Sequence, residues 1–329
     1  MPSTDVRFPG VFPLTRLNTL FPGQFGILGT ANETGLRMHP TGTVFYVDPN
    51  YTGVSDNRDG TDPLAPLQSV ATALTKCQAY RGDVIYVMAN NSWQYGNSAD
   101  GYTTAIVEEV EITVPGVSII GVSPSGQGVY WNPTRNGGTC ITVSAIDCTI
   151  EGFFFTEGAS SGCDGIYAEW DGTTLFGENL TVRHCTFDDT VATAIQLEYS
   201  WNCEIAYNLF KECSVAGFYL DPAGSSAAYI SLHDNAFQNC AVAMACQGLE
   251  DSQIWGNLIY NGNAQGAGVA TDEGLDTTGG NSNIVAGNWF SCLLPVPANG
   301  DWDDLNTANA SDAWIGNGCL NGPNTTNPT

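Results

Sequence analysis

Positive charge is what this chain most lacks. Nine Lys and Arg stand against 34 Asp and Glu in 329 residues, a formal charge of −25. Such a surface repels phosphate backbones and anionic headgroups, so neither nucleic acid nor membrane is expected as a partner. It favours solubility and the uptake of cations. Helical signals are scarce as well. Charged residues make up only 13% of the chain, against 38 glycines and many Asn and Thr, a composition that suits short strands joined by turns. No CxxC pair occurs, which removes the support for a zinc ribbon. No window reaches 18 uninterrupted apolar residues, so no transmembrane helix is expected. The start, Met1 to Phe8, has no basic stretch followed by an apolar run. The expectation is a chain without a secretory signal, in which triplets such as Asn32-Glu33-Thr34 are chance matches.

Eleven cysteines are present, an odd number, so at least one cannot pair within the chain. Most sit among apolar neighbours, as in Ala241 to Cys246, and read as reduced core residues that suit assembly inside a cell.

Residues 1–42 read as an extended arm. Phe-Pro steps punctuate it and block helix and central strand alike. Its apolar anchors include Phe8, Phe12, Leu17 and Phe21, side chains that the arm cannot bury by itself. It is expected to pack on its own body, on a sister chain or on a partner particle. Thr43 to Pro49 then reads as a strand. Pro66 to Leu74 reads as one short helix, with Leu67, Val70, Ala71 and Leu74 on its apolar face. A helix of this size could cover the open end of a solenoid. The body is expected to span 43–320, with a flexible tail at 321–329.

From about residue 110 the sequence repeats itself. An aliphatic residue is followed three positions on by an asparagine, and two further by an aromatic or aliphatic one. Copies are Ile205 to Phe210, Leu232 to Phe237, Ile254 to Ile259 and Val285 to Phe290, with asparagines at Asn208, Asn235, Asn257 and Asn288. Ile150 to Phe155 and Val182 to Phe187 carry Phe153 and Cys185 at that position, and Trp314 to Asn317 is a degraded last copy. Steps of about 22 to 32 residues between copies are those of one coil turn with loop insertions on a constant frame. An Asn side chain both donates and accepts, tolerates left-handed backbone angles, and can bond its copy one rung away. The four asparagines are therefore expected to form an internal ladder. The fold class expected is all-β: a single-stranded right-handed parallel β-helix with an N-terminal arm and a short capping helix.

Two features carry a resemblance to the pectate-lyase-like β-helix superfamily. One is the opening Phe45-Tyr46-Val47-Asp48-Pro49, Asp59-Gly60-Thr61, Pro66-Leu67 and Gly82 to Val87; the other is the run of Ile-x-x-Asn-x-Phe rungs. This superfold hosts lyases, hydrolases, epimerases, adhesins and phage tailspikes, so the resemblance implies fold more than function. The polygalacturonase-type Gly-His-Gly and Arg-Ile-Lys are missing. Within the rung motifs Arg183 is the only arginine, and His184 and His233 are the only histidines outside the arm. A pectin-type activity is disfavoured. The arm, the start without a signal and the free thiols resemble instead a bacteriophage virion protein: a tailspike, a fibre or a capsid appendage. That resemblance implies assembly in the host cytoplasm, a homo-oligomer (a trimer favoured) and attachment to other virion proteins through the arm. The alternative is a free polysaccharide-degrading enzyme, a glycoside hydrolase or lyase.

A second strand precedes several rungs: Ile166 to Glu169, Ile195 to Glu198 and Phe218 to Asp221. Alternation points Ile166/Ala168, Ile195/Leu197 and Phe218/Leu220 inward. Tyr167, Gln196 and Tyr219 then form one outward column, able to hold a sugar. Glu169, Glu198 and Asp221 form the next, a candidate catalytic set, because carboxylates one or two rungs apart fall near glycosidase spacings. The same acids can equally be solvent-facing polar residues or a divalent-cation site. No cofactor is expected, with calcium the one ion such a column could take. Asp188-Asp189 beside His184 is a weaker candidate, equally explained as a turn.

Overall fold

The computed structural model describes residues 42–51, 53–88, 106–122, 129–156, 162–170, 177–188, 191–220, 227–246, 248–261, 273–276, 282–292 and 313–319. The arm anchors Phe8, Phe12, Leu17 and Phe21, the tail 321–329, and Asp189 and Asp221 lie outside them.

Among the described residues, three long parallel sheets of ten, nine and seven strands run along one axis. The chain visits them in turn. One full rung is Thr193–Leu197 in the seven-stranded sheet, Glu204–Ala206 in the ten-stranded sheet and Leu209–Lys211 in the nine-stranded sheet. The next strand of each sheet pairs in parallel register with the last, as in Ile195↔Phe218, Ile205↔Leu232 and Phe210↔Phe237. The result is a three-sided coil, the expected parallel β-helix.

The bends explain the sequence repeat. Between the ten- and nine-stranded sheets one residue of each rung takes a left-handed φ: Gly152, His184, Tyr207, Asp234, Gly256, Gly287 and Gly316. A second left-handed column, Gly82, Gly116, Asp147, Asn179, Asn202, Tyr229, Asp251 and Ser282, precedes by two residues each strand of the ten-stranded sheet from Val84–Met88 to Ile284–Ala286. A bend this tight strips backbone groups of ladder partners, and the next residue inward supplies them. Each ladder amide donates to the carboxamide oxygen one rung on: Asn208 to Asn235, Asn235 to Asn257, Asn257 to Asn288 and Asn288 to Asn317, with Nδ2···Oδ1 distances of 2.9–3.1 Å. The same oxygens accept the backbone N–H of the preceding Asn at 2.9–3.0 Å. Each Nδ2 also bonds a carbonyl, from Val182 for Asn208 to Val285 for Asn317. Cys185, standing where the ladder would begin, donates its backbone N–H to Asn208 Oδ1 at 2.9 Å. The degraded copy at Asn317 is thus a full member. A shorter mixed column, not anticipated, occupies the other corner, where Ile230 N–H donates to Ser252 Oγ at 2.9 Å and Ser252 N–H to Asn283 Oδ1 at 3.1 Å.

Inside, aromatic rings stack from rung to rung. Phe155, Phe187, Phe210 and Phe237 stack with centroids 4.5–5.2 Å apart and nearly parallel planes, and Ile259 continues them, fully buried. Phe290 pairs with Ile259 in register; its side chain is outside the described set. Of the nine cysteines whose side chains are described, eight are buried, and no disulfide joins any of them. Burial pushes Cys148, Cys185 and Cys203 up to about 12, which keeps them inert thiols.

The helix, α1, is shorter than expected: Val70–Lys76, not Pro66 to Leu74. Leu67 is instead drawn into the first rung. Its N–H bonds Tyr46 O at 2.8 Å and its carbonyl accepts from Asp48 at 2.9 Å. Ser69 then caps the helix by accepting from Thr72 N–H. The later start turns Ala71 outward and buries Ala73 beside Val70 and Leu74. Glu108 holds the helix against the first coil, accepting the Val70 and Ala71 N–H groups at 3.1 Å each. Among the described residues no helix is long and apolar enough to cross a membrane.

Replacing Asn235 by Ala leaves two donors of Asn208 and the Ile205 carbonyl buried without partners. Each such group costs roughly 1–3 kcal/mol, so urea unfolding of Asn235→Ala is expected to show a loss of about 3 kcal/mol or more. A loss below about 1 kcal/mol would remove the ladder from any structural role.

Candidate functional site

The seven-stranded sheet places the expected outward column. Tyr167, Gln196 and Tyr219 pair across consecutive strands, and the same column runs back through Thr142 to Glu111. Their neighbours Ile166/Ala168, Ile195/Leu197 and Phe218/Leu220 are fully buried, so the alternation is as read. The acids come one residue past each strand. Glu169 N–H bonds Val143 O at 3.2 Å and Glu198 N–H bonds Ala168 O at 3.0 Å, which sets the two acids on successive rungs. Glu169 is exposed and Glu198 half-buried. Glu198 Oε2 accepts the Trp170 N–H at 3.3 Å, and the Trp170 and Tyr199 rings meet at 3.9 Å. Aromatic rings therefore border the acids as well as the column beside them.

At the start of this column lies a cleft of about 210 Å³, lined by Glu109, Glu111, Arg135, Thr139 and Thr142 with Val110 and Gly137. Arg135 Nε pairs with Glu109 Oε2 at 3.1 Å. The other oxygen of Glu109 accepts from Thr134 N–H at 3.1 Å and Thr134 Oγ1 at 2.6 Å. A Cβ on Gly138 would collide with that same oxygen, so the carboxylate rests in a notch that only glycine leaves open. The cleft falls in the least regular rungs, before the asparagine motif begins, where the repeat gives no frame. Among the described residues no three His, Cys, Asp or Glu side chains converge as a metal-binding set.

A second constellation occupies the outward side of the ten-stranded sheet. Register sets Glu151 beside Arg183, and His233 between Ala206 and Trp255. Glu204 stands at the centre: one oxygen pairs with Arg183 Nη2, the other with His233 Nε2 at 3.3 Å. His233 Nδ1 meets Asp234 Oδ2 at 2.9 Å. The hydrogen bond from His233, with help from Arg183 and against the cost of burial, lowers Glu204 to about 2. Burial opposes the charge on His233, yet its bonds to Glu204 and Asp234 outweigh that and raise its pKa above 6.5. Glu151, 7% exposed, is pushed up to about 7 by burial, only partly countered by Arg183. Its Oε2 and the Arg183 Nε are buried without hydrogen-bond partners. Sequence reasoning noted Arg183, His184 and His233 separately and missed the assembly of Arg183 and His233 with Glu204 and Asp234. The signal was available: counting back from each ladder position, −4 holds Glu204, −2 holds Arg183 and His233, and −1 holds Asp234.

The description "Right handed beta helix region" fits a family model over residues 90–290. The chain belongs to the right-handed β-helix family. No curated protein matches its sequence. Among solved structures, a GH136 lacto-N-biosidase from Eubacterium ramulus superposes with a TM-score of 0.60 at 13% identity, covering 89% of this chain and 58% of that one. This chain therefore spans little more than half of that enzyme's length. XylC in complex with xylose gives a TM-score of 0.43 at 11% identity, over 83% and 66% of the two chains. The enzymatically active domain of bacteriophage CBA120 tailspike protein 2 gives 0.38 at 15%, over 75% and 35%. At these identities the likeness concerns fold alone.

Glu151 supplies a pH test. Its folded pKa of about 7 lies above the ordinary 4.5, so between those values the folded state binds the extra proton. Stability must then fall as pH rises through that window. Between pH 5 and 8, Glu151→Gln is expected to lose less melting temperature than the parent. Parallel melting curves would show Glu151 to be ordinarily ionised.

Proposed function

We propose that the solenoid is a glycan-handling body, with the seven-stranded face as its binding rail. The observation that carries this is the unbroken outward column Glu111–Thr142–Tyr167–Gln196–Tyr219, which starts in a polar cleft and is flanked by Glu169 and Glu198. Rungs repeat at ~4.8 Å, so a saccharide chain laid along the axis would meet a ring, an amide or an acid at each step. Tyrosine rings stack on sugar faces and amides bond hydroxyls. Glu169, Glu198 and Asp221 remain the proposed hydrolytic set, acting as general acid and base on a glycosidic bond. General acid–base catalysis by one carboxylate is typically worth about 10²- to 10⁴-fold. Glu198→Gln is therefore expected to lower turnover of a cleavable surface polysaccharide at least about a hundredfold, with an unchanged melting temperature. Binding without cleavage by the parent would reduce the reading to recognition. Absence of both would end it. Calcium-dependent melting of the parent, lost in the variant, would make the column a cation site.

The setting proposed for this body is a bacteriophage particle, as a tailspike, fibre or capsid decoration assembled in the host cytoplasm and attached through residues 1–42 to other virion proteins. What supports it is the chemistry of the interior: nine cysteines with described side chains, none in a disulfide, suit folding in a reducing compartment. The homo-oligomer, a trimer, is proposed on the nine-stranded face. From Thr186 to Trp289 its two outward columns hold one cation and one anion, Lys211 and Asp188, joined at 2.8 Å. Leu258 and Trp289 on that face are each 51% exposed. In a chain of charge −25, such a face lets like-charged copies approach without repulsion. Light scattering is expected to give about three chain masses for the parent and one for Leu258→Asp, and particles assembled with Leu258→Asp should lack the chain. A monomeric parent, or an unchanged variant, would remove this face from assembly.

A further inference from the structure

We infer that the corner between the ten- and nine-stranded sheets holds a second saccharide site, specific for an uncharged pyranose, in which Trp255 is the stacking platform and Asp234 the hydroxyl acceptor. It lies on a different face from the rail and stands independently of it.

The construction starts at His233. Its side chain is 8% exposed, and it touches both proposed ligand groups. Nδ1 bonds Asp234 Oδ2 at 2.9 Å, and its ring lies 4.2 Å from the Trp255 ring at an angle of 5°. One buried imidazole thus fixes the position of a carboxylate and the plane of an indole. His233 is held in turn by Glu204, and Glu204 by Arg183. These contacts form a row that ends at Asp234.

The row leaves each ligand group one open side. Asp234 Oδ1 leans along the axis over Gly256, 2.8 Å from where a Cβ would stand, so it lies beside Trp255 in space that a larger residue would fill. Trp255 is 37% exposed. One indole face is covered by His233. On the following rung its partner in register is Ala286, next to Gly287, whose Cβ position meets nothing within 4 Å. The ring ladder His184–Tyr207–His233–Trp255 therefore ends in a ring with a shallow step beyond it.

An exposed indole face beside a pinned carboxylate matches the two surfaces of a pyranose: an apolar C–H face and a rim of hydroxyl donors. Asp234, Glu204 and the overall charge repel an acidic sugar. The Arg183 guanidinium and both ring nitrogens of His233 are already engaged by those acids, so neither is left to attract one. His233 and Glu204 act as positioning residues, because they reach the ligand only through Asp234 and Trp255.

The test is a titration of the full chain, followed by ¹H–¹⁵N NMR of the indole N–H signals and by saturation transfer. The probes are methyl β-D-glucopyranoside, methyl β-D-galactopyranoside and methyl β-D-glucuronide. At least one neutral glycoside is expected to bind and shift the Trp255 indole signal, and the glucuronide to bind at least tenfold more weakly. Trp255→Ala and Asp234→Asn should each weaken the neutral glycoside at least tenfold without a shift in melting temperature. Tyr167→Ala, on the rail, should leave this binding within twofold. Should Trp255→Ala unfold the chain, Trp255→Phe is the substitute, expected to bind more weakly than the parent and better than no ring. Absence of binding by both neutral probes, equal binding of the glucuronide, or loss in Tyr167→Ala but not in Trp255→Ala would each overturn the proposal. The last of these outcomes would leave the rail reading standing.

Discussion

Every rung of this protein must turn a corner in about two residues without orphaning the backbone. The solution is the pairing of a left-handed residue with an inward amide. Tyr207 turns and Asn208 repairs; Asp234 turns and Asn235 repairs. Because the carboxamide oxygen serves the preceding Asn and its nitrogen serves both a carbonyl and the following Asn, each corner is completed only by its neighbours. The Phe155–Phe237 stack, the buried thiols and the outward columns inherit their alignment from that repeated corner. A corner of fixed length holds the register while loops of unequal length are tolerated elsewhere.

That constraint also decided what could be read in advance. Positions under geometric obligation repeat, and repetition is visible in one sequence: the four asparagines, the phenylalanines from Phe155 to Phe237 and the inward Ile195/Leu197 pairs are where the pattern put them. Asn317 was undervalued because its flanking residues had drifted, although the amide itself is what the corner needs. The helix start was missed because Leu67 satisfies helical spacing and strand pairing equally well, and only the tertiary partner Tyr46 decides between them. Outward residues carry no such obligation. Nothing in the spacing of Arg183, Glu204, His233 and Asp234 advertises an assembly until the ladder supplies the alignment. The cleft at Glu109 and Arg135 lies in rungs with no asparagine to count from.

The three faces divide the chemistry of a chain that has few charges to spend. The seven-stranded side alternates hydroxyl, ring and amide groups, bordered by acids. The ten-stranded side sets Arg183 and His233 around Glu204. The nine-stranded side is nearly without charge. In a coil, residues on one face are neighbours along the axis and those on different faces are kept apart by the core. A substitution on one side therefore has little route to another, and the faces can acquire separate tasks on one unchanged interior.

The amide column has a direction. From Asn208 to Asn288 each Nδ2 donates to the Oδ1 of the next rung, and each Oδ1 accepts from the preceding one, so the carboxamide dipoles point the same way. Aligned hydrogen bonds polarise one another, and the column behaves less like a set of rivets than like a polarised wire. Its strength belongs to the length of the uninterrupted run. A break at Asn257 would leave two short segments weaker than their share of the whole, whereas the same loss at either terminus would leave the rest of the run whole. For a body built by repetition, the middle of the row is the sensitive place.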